Sequence, residues 1–207
     1  MHRCVIVGGA AIEDYEYIKS RLQDDDFFIY CDCGLKHMEK LDRRPNLIIG
    51  DFDSHEDPHM DIETIVLPVK KDDTDTFYAV KEAVKRGFEE FLLIGAIGNR
   101  LDHTLGNISI LLMLNTRKLK AGAIDDYSEF EIISDNTAYV EDSYPFFSIV
   151  NITGLCSDIT IKNAKFPLEH GNIDVDYQYG VSNEVLPGKT AEITIGKGRA
   201  LLIKDRR

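Results

Sequence analysis

Over residues 1–122, short apolar runs alternate with segments of helical periodicity, and this order constrains the fold more than any other feature of the chain. The runs are CVIVGG, FFIYCD, LIIGDFD, TIVLPV and FLLIGAIG, each bounded by glycine, proline or acidic residues. Between them, DTDTFYAVKEAVKRGF sets Phe77, Val80, Val84 and Phe88 at helical spacing and closes near Gly87, and HTLGNISILLMLN reads as a second, more apolar helix. Strands joined through helices run parallel, because a parallel connection needs a crossover, and their sheet is covered on both faces. Beyond residue 122 the pattern changes to EFEIISD, TAYVED, FFSIVNITG, DITIKNA, NIDVDYQYG, TAEITIG and ALLIKD, which are short, often alternating and split by turn residues. No segment from 128 to 207 has the pattern of a three-turn helix, and ITIGKGRALLI reads as a closing hairpin with a glycine-rich turn. The expectation is an α/β domain over 1–122, a junction within KLKAGAIDDYS, and an all-β domain over 128–207. Neither half contains repeats or low-complexity sequence.

The 207 residues are 43% hydrophobic, enough for a real core. With 36 acidic against 24 basic residues, the formal charge of −12 opposes general attraction to nucleic acid or to an anionic membrane surface. A phosphate-bearing substrate would therefore need cations to mediate. The apolar start is much shorter than a signal or spanning segment, and no later run approaches the ~18 residues of a membrane helix. The cytoplasm is the expected location. Cys4, Cys31, Cys33 and Cys156 sit in or beside strand-like runs without framework spacing, so reduced, buried thiols are expected. Cys31 and Cys33 with His37 lack a fourth zinc ligand at suitable spacing.

Acidic residues gather where strands end. In an extended LIIGDFD, Asp51 and Asp53 point the same way with alpha carbons about 6.7 Å apart, and Phe52 faces the opposite way. Two carboxylates about 5 Å apart repel by roughly 3 kcal/mol at an effective dielectric near 20, and a divalent cation reverses that repulsion. Asp32 ends FFIYCD, while Asp72, Asp73 and Asp75 precede a helix in KKDDTDT. Because the carboxyl ends of parallel strands share one edge, where ligands bind, Asp32, Asp51, Asp53 and Asp75 can form one cluster. An all-oxygen, highly charged ligand set suits magnesium, which completes its shell with water and substrate phosphates. Each acid also has a plainer reading: Asp75, or Thr74 before it, as a helix cap, and the others as solvated loop residues. In GAIGNRLDHTLGN, Arg100 is the rare cation and can hold phosphate oxygens bidentately. There Asp102 has the position of a helix N-cap, and His103 reads as a packed histidine. GGA at 8–10 is a weak phosphate-loop signal, since the three-glycine dinucleotide fingerprint is absent.

Taken in order, CDCGLKHM, NLIIGDFDS, KKDDTDT, GAIGNRLDHTLGN, NAKFPL and YGVSNE resemble the thiamine pyrophosphokinases across nearly the whole chain. The resemblance implies an α/β nucleotide-binding domain followed by a β-sandwich. It also implies a magnesium-dependent transferase that moves the diphosphate of ATP to the hydroxyethyl group of thiamine, giving AMP and thiamine diphosphate. Motif by motif, Asp32, Asp51, Asp53 and Asp75 are the implied magnesium ligands, with Asp51, Asp53, Asp75 and Arg100 carrying catalysis. Thr74, Arg100 and Asp102 fall beside the ATP phosphates, with Lys71 and Asn107 as further nucleotide contacts, and Ser182 and Asn183 fall where the family contacts thiamine. A homodimer with thiamine between subunits is implied as well. The chain has no tryptophan, whereas animal members stack an indole on thiamine; Tyr177 and Tyr179 are the aromatic residues available for that role. The bacterial motifs fit better than the animal ones. Two rivals differ in class. DFDS superficially resembles a haloacid-dehalogenase phosphatase motif, but it follows the third strand and ends in Ser54. A noncatalytic nucleotide- or thiamine-binding module has little use for so many acids together with Arg100.

Overall fold

The computed structural model describes residues 2–52 and 60–207 of the chain. Two compact units account for it, Met1–Asp126 and Tyr127–Arg207.

In the first unit, β1 (Cys4–Val7), β2 (Phe27–Cys31), β3 (Leu47–Gly50), β4 (Thr64–Val66), β5 (Glu90–Ile94) and β6 (Lys120–Ile124) form a sheet in the order β4, β3, β2, β1, β5, β6. Every pairing is parallel. β1 and β3 are buried along their whole length, which is what an apolar run without alternation encodes. Val5, Val7, Ile18, Tyr30, Leu41 and Ile94 belong to one core on this sheet, and each aliphatic side chain fully buried there contributes about 1.5–3 kcal/mol. β6 was not anticipated, because KAGAI is short and small and its sequence reads as a linker.

The helices of this unit are α1 (Tyr15–Ser20), α2 (Met38–Leu41), α3 (Asp75–Lys85) and α4 (Leu101–Thr116), with a 3-10 helix at Asp32–His37. Thr74 caps α3, its side chain accepting from the Phe77 N–H at 3.2 Å. The buried stripe of α3 is Ala79, Val80 and Ala83, while Phe77 and Val84 are half-buried. Small residues let this helix lie close to the sheet. For α4, Arg100 takes the cap position and Asp102 lies in the first turn, so Asp102 is not the N-cap. Connection order reverses at β1, which has β2 on one side and β5 on the other.

The geometry assumed for LIIGDFD needs correction. β3 stops at Gly50, and Phe52 adopts a left-handed backbone (φ 54°), so strand alternation does not orient the carboxylates beyond it. Asp53, with Ser54 and His55, lies outside the described residues. All four cysteines are free, but Cys33 is only half-buried.

The second unit contains β7 (Ser128–Ile133), β8 (Thr137–Glu141), β9 (Phe146–Lys162), β10 (Leu168–Asn172) and β11 (Thr190–Asp205), all paired antiparallel and without a helix. ITIGKGRALLI is not a hairpin. It is the middle of β11, one long strand whose first half lies between β8 and β9 and whose second half lies between β7 and β9. Gly198 makes the continuous path possible: its φ is 90°, and a Cβ there would stand 1.7 Å from the Leu155 carbonyl oxygen, beside a register shift between Gly198 and Ala200. FFSIVNITG and DITIKNA likewise merge into β9, while NIDVDYQYG has Asn172 as the last residue of β10 and otherwise an isolated bridge between Asp174 and Tyr177. Phe147, Ile149, Ile161, Ile193 and Leu202, drawn from both halves of β9 and β11, share one apolar core.

No described helix is long and apolar enough to cross a membrane.

Candidate functional site

β2 delivers Asp32 to the carboxyl edge of the parallel sheet, where it opens the 3-10 helix and is 3% exposed. Asp51 follows β3 at the same edge, and Asp75 is the first residue of α3. One carboxylate oxygen from each of these three residues lies within 4.8 Å of the others. Carboxylates about 5 Å apart repel by roughly 3 kcal/mol per ionised pair at an effective dielectric near 20, so the cluster needs a cation. Lys71 supplies one: its ammonium pairs with Asp51 and lies 2.8 Å from Asp75 Oδ1. Partial burial disfavours the charged lysine, yet the two carboxylates outweigh it and hold its pKa above the usual value.

Beside the cluster is a cavity of about 390 Å³, within the range of small-molecule sites. Gly9 and Ala10 after β1, Ala96 after β5, and Thr74, Asp75 and Arg100 at two helix starts line it. It therefore lies at the point where the strand order reverses. Its walls are braced from behind. Asn107, 6% exposed, donates its amide to the Ala96 carbonyl at 2.6 Å, and the Thr104 hydroxyl accepts from the Gly98 N–H at 3.1 Å.

His37, 2% exposed, bridges the Ala10 carbonyl (2.8 Å from Nε2) and the Tyr15 hydroxyl (2.7 Å from Nδ1). A carbonyl only accepts, so Nε2 carries the proton and Nδ1 takes the hydroxyl's hydrogen bond in the neutral ring. Burial pushes the His37 pKa below its ordinary 6.5. The unfolded chain then binds the extra proton first, so His37 costs stability as pH falls through 6.5 toward its folded pKa. Denaturant midpoints at pH 7.5 and 5.5 should fall more in the wild type than in His37→Gln, which itself loses about 1–3 kcal/mol at pH 7.5. Equal falls would remove His37 from the acid response.

Arg100 turns onto Asp102, with Nε–Oδ1 at 2.9 Å and Nη2–Oδ2 at 2.6 Å, and both side chains are exposed. The guanidinium holds the Asp102 carboxyl well below the usual carboxylate range. Asp102 faces an outer groove between α3 and α4 that Asp72 and Asp73 also line. His103 is exposed and borders both cavity and groove, rather than packing in the core.

In the second unit, Ser182 is exposed with a left-handed backbone (φ 59°), and its N–H donates to Ser148 Oγ at 3.0 Å. Asn183 is 5% exposed and its side chain makes three hydrogen bonds: its amide donates to the Phe166 carbonyl at 2.8 Å, and its oxygen accepts from the N–H groups of Phe166 (3.0 Å) and Glu184 (2.9 Å). It fastens the NAKFPL segment to YGVSNE. Tyr177 and Tyr179 are exposed neighbours with ring centroids 5.5 Å apart.

Two family descriptions match the chain, the thiamin pyrophosphokinase catalytic domain over residues 18–122 and the thiamin pyrophosphokinase vitamin B1 binding domain over residues 133–199. The chain belongs to the thiamin pyrophosphokinase family. A thiamine pyrophosphokinase of Bacillus subtilis is 25% identical over 164 residues, covering 75% of this chain and 76% of the relative. Among solved folds, a B. subtilis thiamine pyrophosphokinase aligns with a TM-score of 0.86 at 20% identity over 100% of both chains. The yeast enzyme aligns with a TM-score of 0.77 at 16% identity, over 99% of this chain and 85% of its own.

Within this thiamin pyrophosphokinase fold, the structure brings Asp32, Asp51, Lys71 and Asp75 into one charged cluster, and Thr74, Asp75, Arg100 and Asn107 onto one cavity wall. Asn107 and Asn183 both direct their amides at backbone carbonyls, so each positions a loop. Thr104 left no pattern in side-chain identity because its partners are the Gly98 N–H and carbonyl, and His37, weighed in sequence only as a zinc ligand, instead joins the Ala10 carbonyl to the Tyr15 hydroxyl.

Proposed function

We infer that this transferase moves the diphosphate of ATP to the hydroxyethyl oxygen of thiamine, releasing AMP. The observation that carries the reading is the convergence of the Asp32, Asp51 and Asp75 carboxylates beside a cavity lined by Arg100, in a chain matched by both parts of the family description. Three anionic oxygens within 4.8 Å of one another, one residue being buried, are a donor set that fits magnesium. Asp32, Asp51 and Asp75 would hold it, with Asp53 as a fourth candidate outside the described residues. Its chemistry when bound is neutralisation of charge on phosphate oxygens.

The protein's own groups do the rest. Thr74 and Asp75 place the N-terminus of α3, with its partial positive charge, at the cavity wall. Arg100 can exchange Asp102 for phosphate oxygens, the same bidentate geometry serving both. Asp102 thereby keeps the guanidinium near the phosphates, and Asn107 holds the wall behind them. As the thiamine hydroxyl attacks in line, its oxygen bonds to the β-phosphorus, the bond from that phosphorus to the α-phosphate bridging oxygen breaks, and AMP leaves with the electron pair. A loose transition state asks little of a base, so the hydroxyl proton leaves to solvent as the new bond forms and no side chain need accept it.

Ser182, exposed at its turn, offers thiamine a hydroxyl. Ser182→Ala should raise the thiamine KM about 3- to 10-fold, the worth of one hydrogen bond, with little change in kcat. An unchanged KM would place thiamine away from Ser182. Tyr177 or Tyr179 takes the stacking role in the absence of tryptophan. The reading includes a cytoplasmic homodimer with thiamine between subunits, and sedimentation equilibrium tests the dimer.

Incubation with magnesium, ATP and thiamine should give AMP and thiamine diphosphate together. Inorganic phosphate alone would favour a phosphatase, and binding without turnover a noncatalytic module.

A further inference from the structure

Lys71 stands where a metal ion would compensate the acids. Its side chain is 15% exposed, and those of Asp51 and Asp75 are 11% and 23% exposed, so salt screens this group weakly. The ammonium lies 2.8 Å from Asp75 Oδ1. An ammonium and a divalent ion cannot share the same two carboxylates without strong mutual repulsion.

We propose that Lys71 is a resident counter-ion that competes with the divalent cation for Asp51 and Asp75, holding the acid cluster together before the metal enters. The inference rests on the metal-site reading given above. Metal entry then requires release of the ammonium. The flexible four-carbon stem of lysine permits this, and nucleotide phosphates are a natural destination for the freed charge. Through linkage, whatever draws Lys71 off the acids tightens metal binding. The alternative role, a lysine that only contacts ATP, predicts no effect on metal binding when nucleotide is absent.

The test is a titration of the nucleotide-free protein with Mn²⁺, followed by electron paramagnetic resonance and by the thermal midpoint. Lys71→Met should bind Mn²⁺ about 10-fold more tightly than wild type, the low end of what one neighbouring opposite charge shifts. Lys71→Arg, which keeps the charge, should not tighten. Added Mn²⁺ should raise the melting midpoint of Lys71→Met more than that of wild type, and should restore its fold if it unfolds without metal. Equal or weaker Mn²⁺ binding by Lys71→Met, or no restoration, overturns the proposal. Asp75→Asn separates the two levels of argument. Weakened Mn²⁺ binding in that variant upholds the metal site whatever Lys71 does, whereas unchanged binding overturns the metal-site reading and this proposal together.

Discussion

Asp75→Asn should lose about 10²- to 10³-fold in kcat at saturating magnesium, ATP and thiamine, the scale of removing one preorganised electrostatic partner from a reacting centre. The substitution is nearly isosteric, and the cap of α3 belongs to Thr74, so the helix keeps its start. What changes is charge. An amide oxygen offers a metal much less than a carboxylate, and the amide nitrogen presents a donor to a cluster of acceptors. Lys71 retains Asp51 as a partner, so no buried ammonium is stranded. Stability should therefore stay near wild type while turnover collapses. Steady-state kinetics paired with denaturant unfolding checks both halves, and near-normal turnover would remove Asp75 from the site.

Gly34→Ala should destabilise the first unit by about 3 kcal/mol, the upper end of what overpacking usually costs. Gly34 lies in the 3-10 helix that begins with Asp32, directly against the end of β1. A Cβ there would sit 2.1 Å from the Val7 carbonyl oxygen, 2.9 Å from its carbon and 3.2 Å from the Gly8 oxygen. All three are backbone atoms in or next to a central strand. Relief requires moving either β1, paired on both sides, or the turn that carries Asp32. Activity should fall along with the unfolding midpoint, because the second route displaces a carboxylate of the cluster. A midpoint equal to wild type would show that the 3-10 helix can shift without cost.

The parallel half was legible because a strand buried on both faces must be apolar at every position, as in CVIV and LIIG. The candidate acids were legible for a related reason: a charge just after such a run has to lie at the strand's edge. That argument located Asp32 and Asp51, although the left-handed Phe52 shows that alternation cannot be carried past the last strand residue. Lys71 was legible only as a nucleotide contact implied by the family resemblance, because its pairing with Asp51 and Asp75 joins segments that sequence alone does not juxtapose. In the second unit, residues with strand character were visible but their connectivity was not. GKG signals a turn locally, and only the long ladder between β9 and β11 turns it into a bend within one strand. NIDVDYQYG alternates as a strand should, yet only its first residue, Asn172, joins the ladder with β9, which is otherwise formed by the preceding LEHG, because a ladder depends on a partner's register as well as local propensity. Asn183 drew notice through its motif, and its role in fastening Phe166 depends on a backbone segment that sequence alone does not juxtapose.

Transfer of one intact diphosphate is tested most directly with ATP labelled at the β-phosphorus. With thiamine and magnesium present, the label should appear in thiamine diphosphate alongside an equimolar amount of unlabelled AMP. Label recovered in ADP or in inorganic phosphate, with thiamine unchanged, would contradict it.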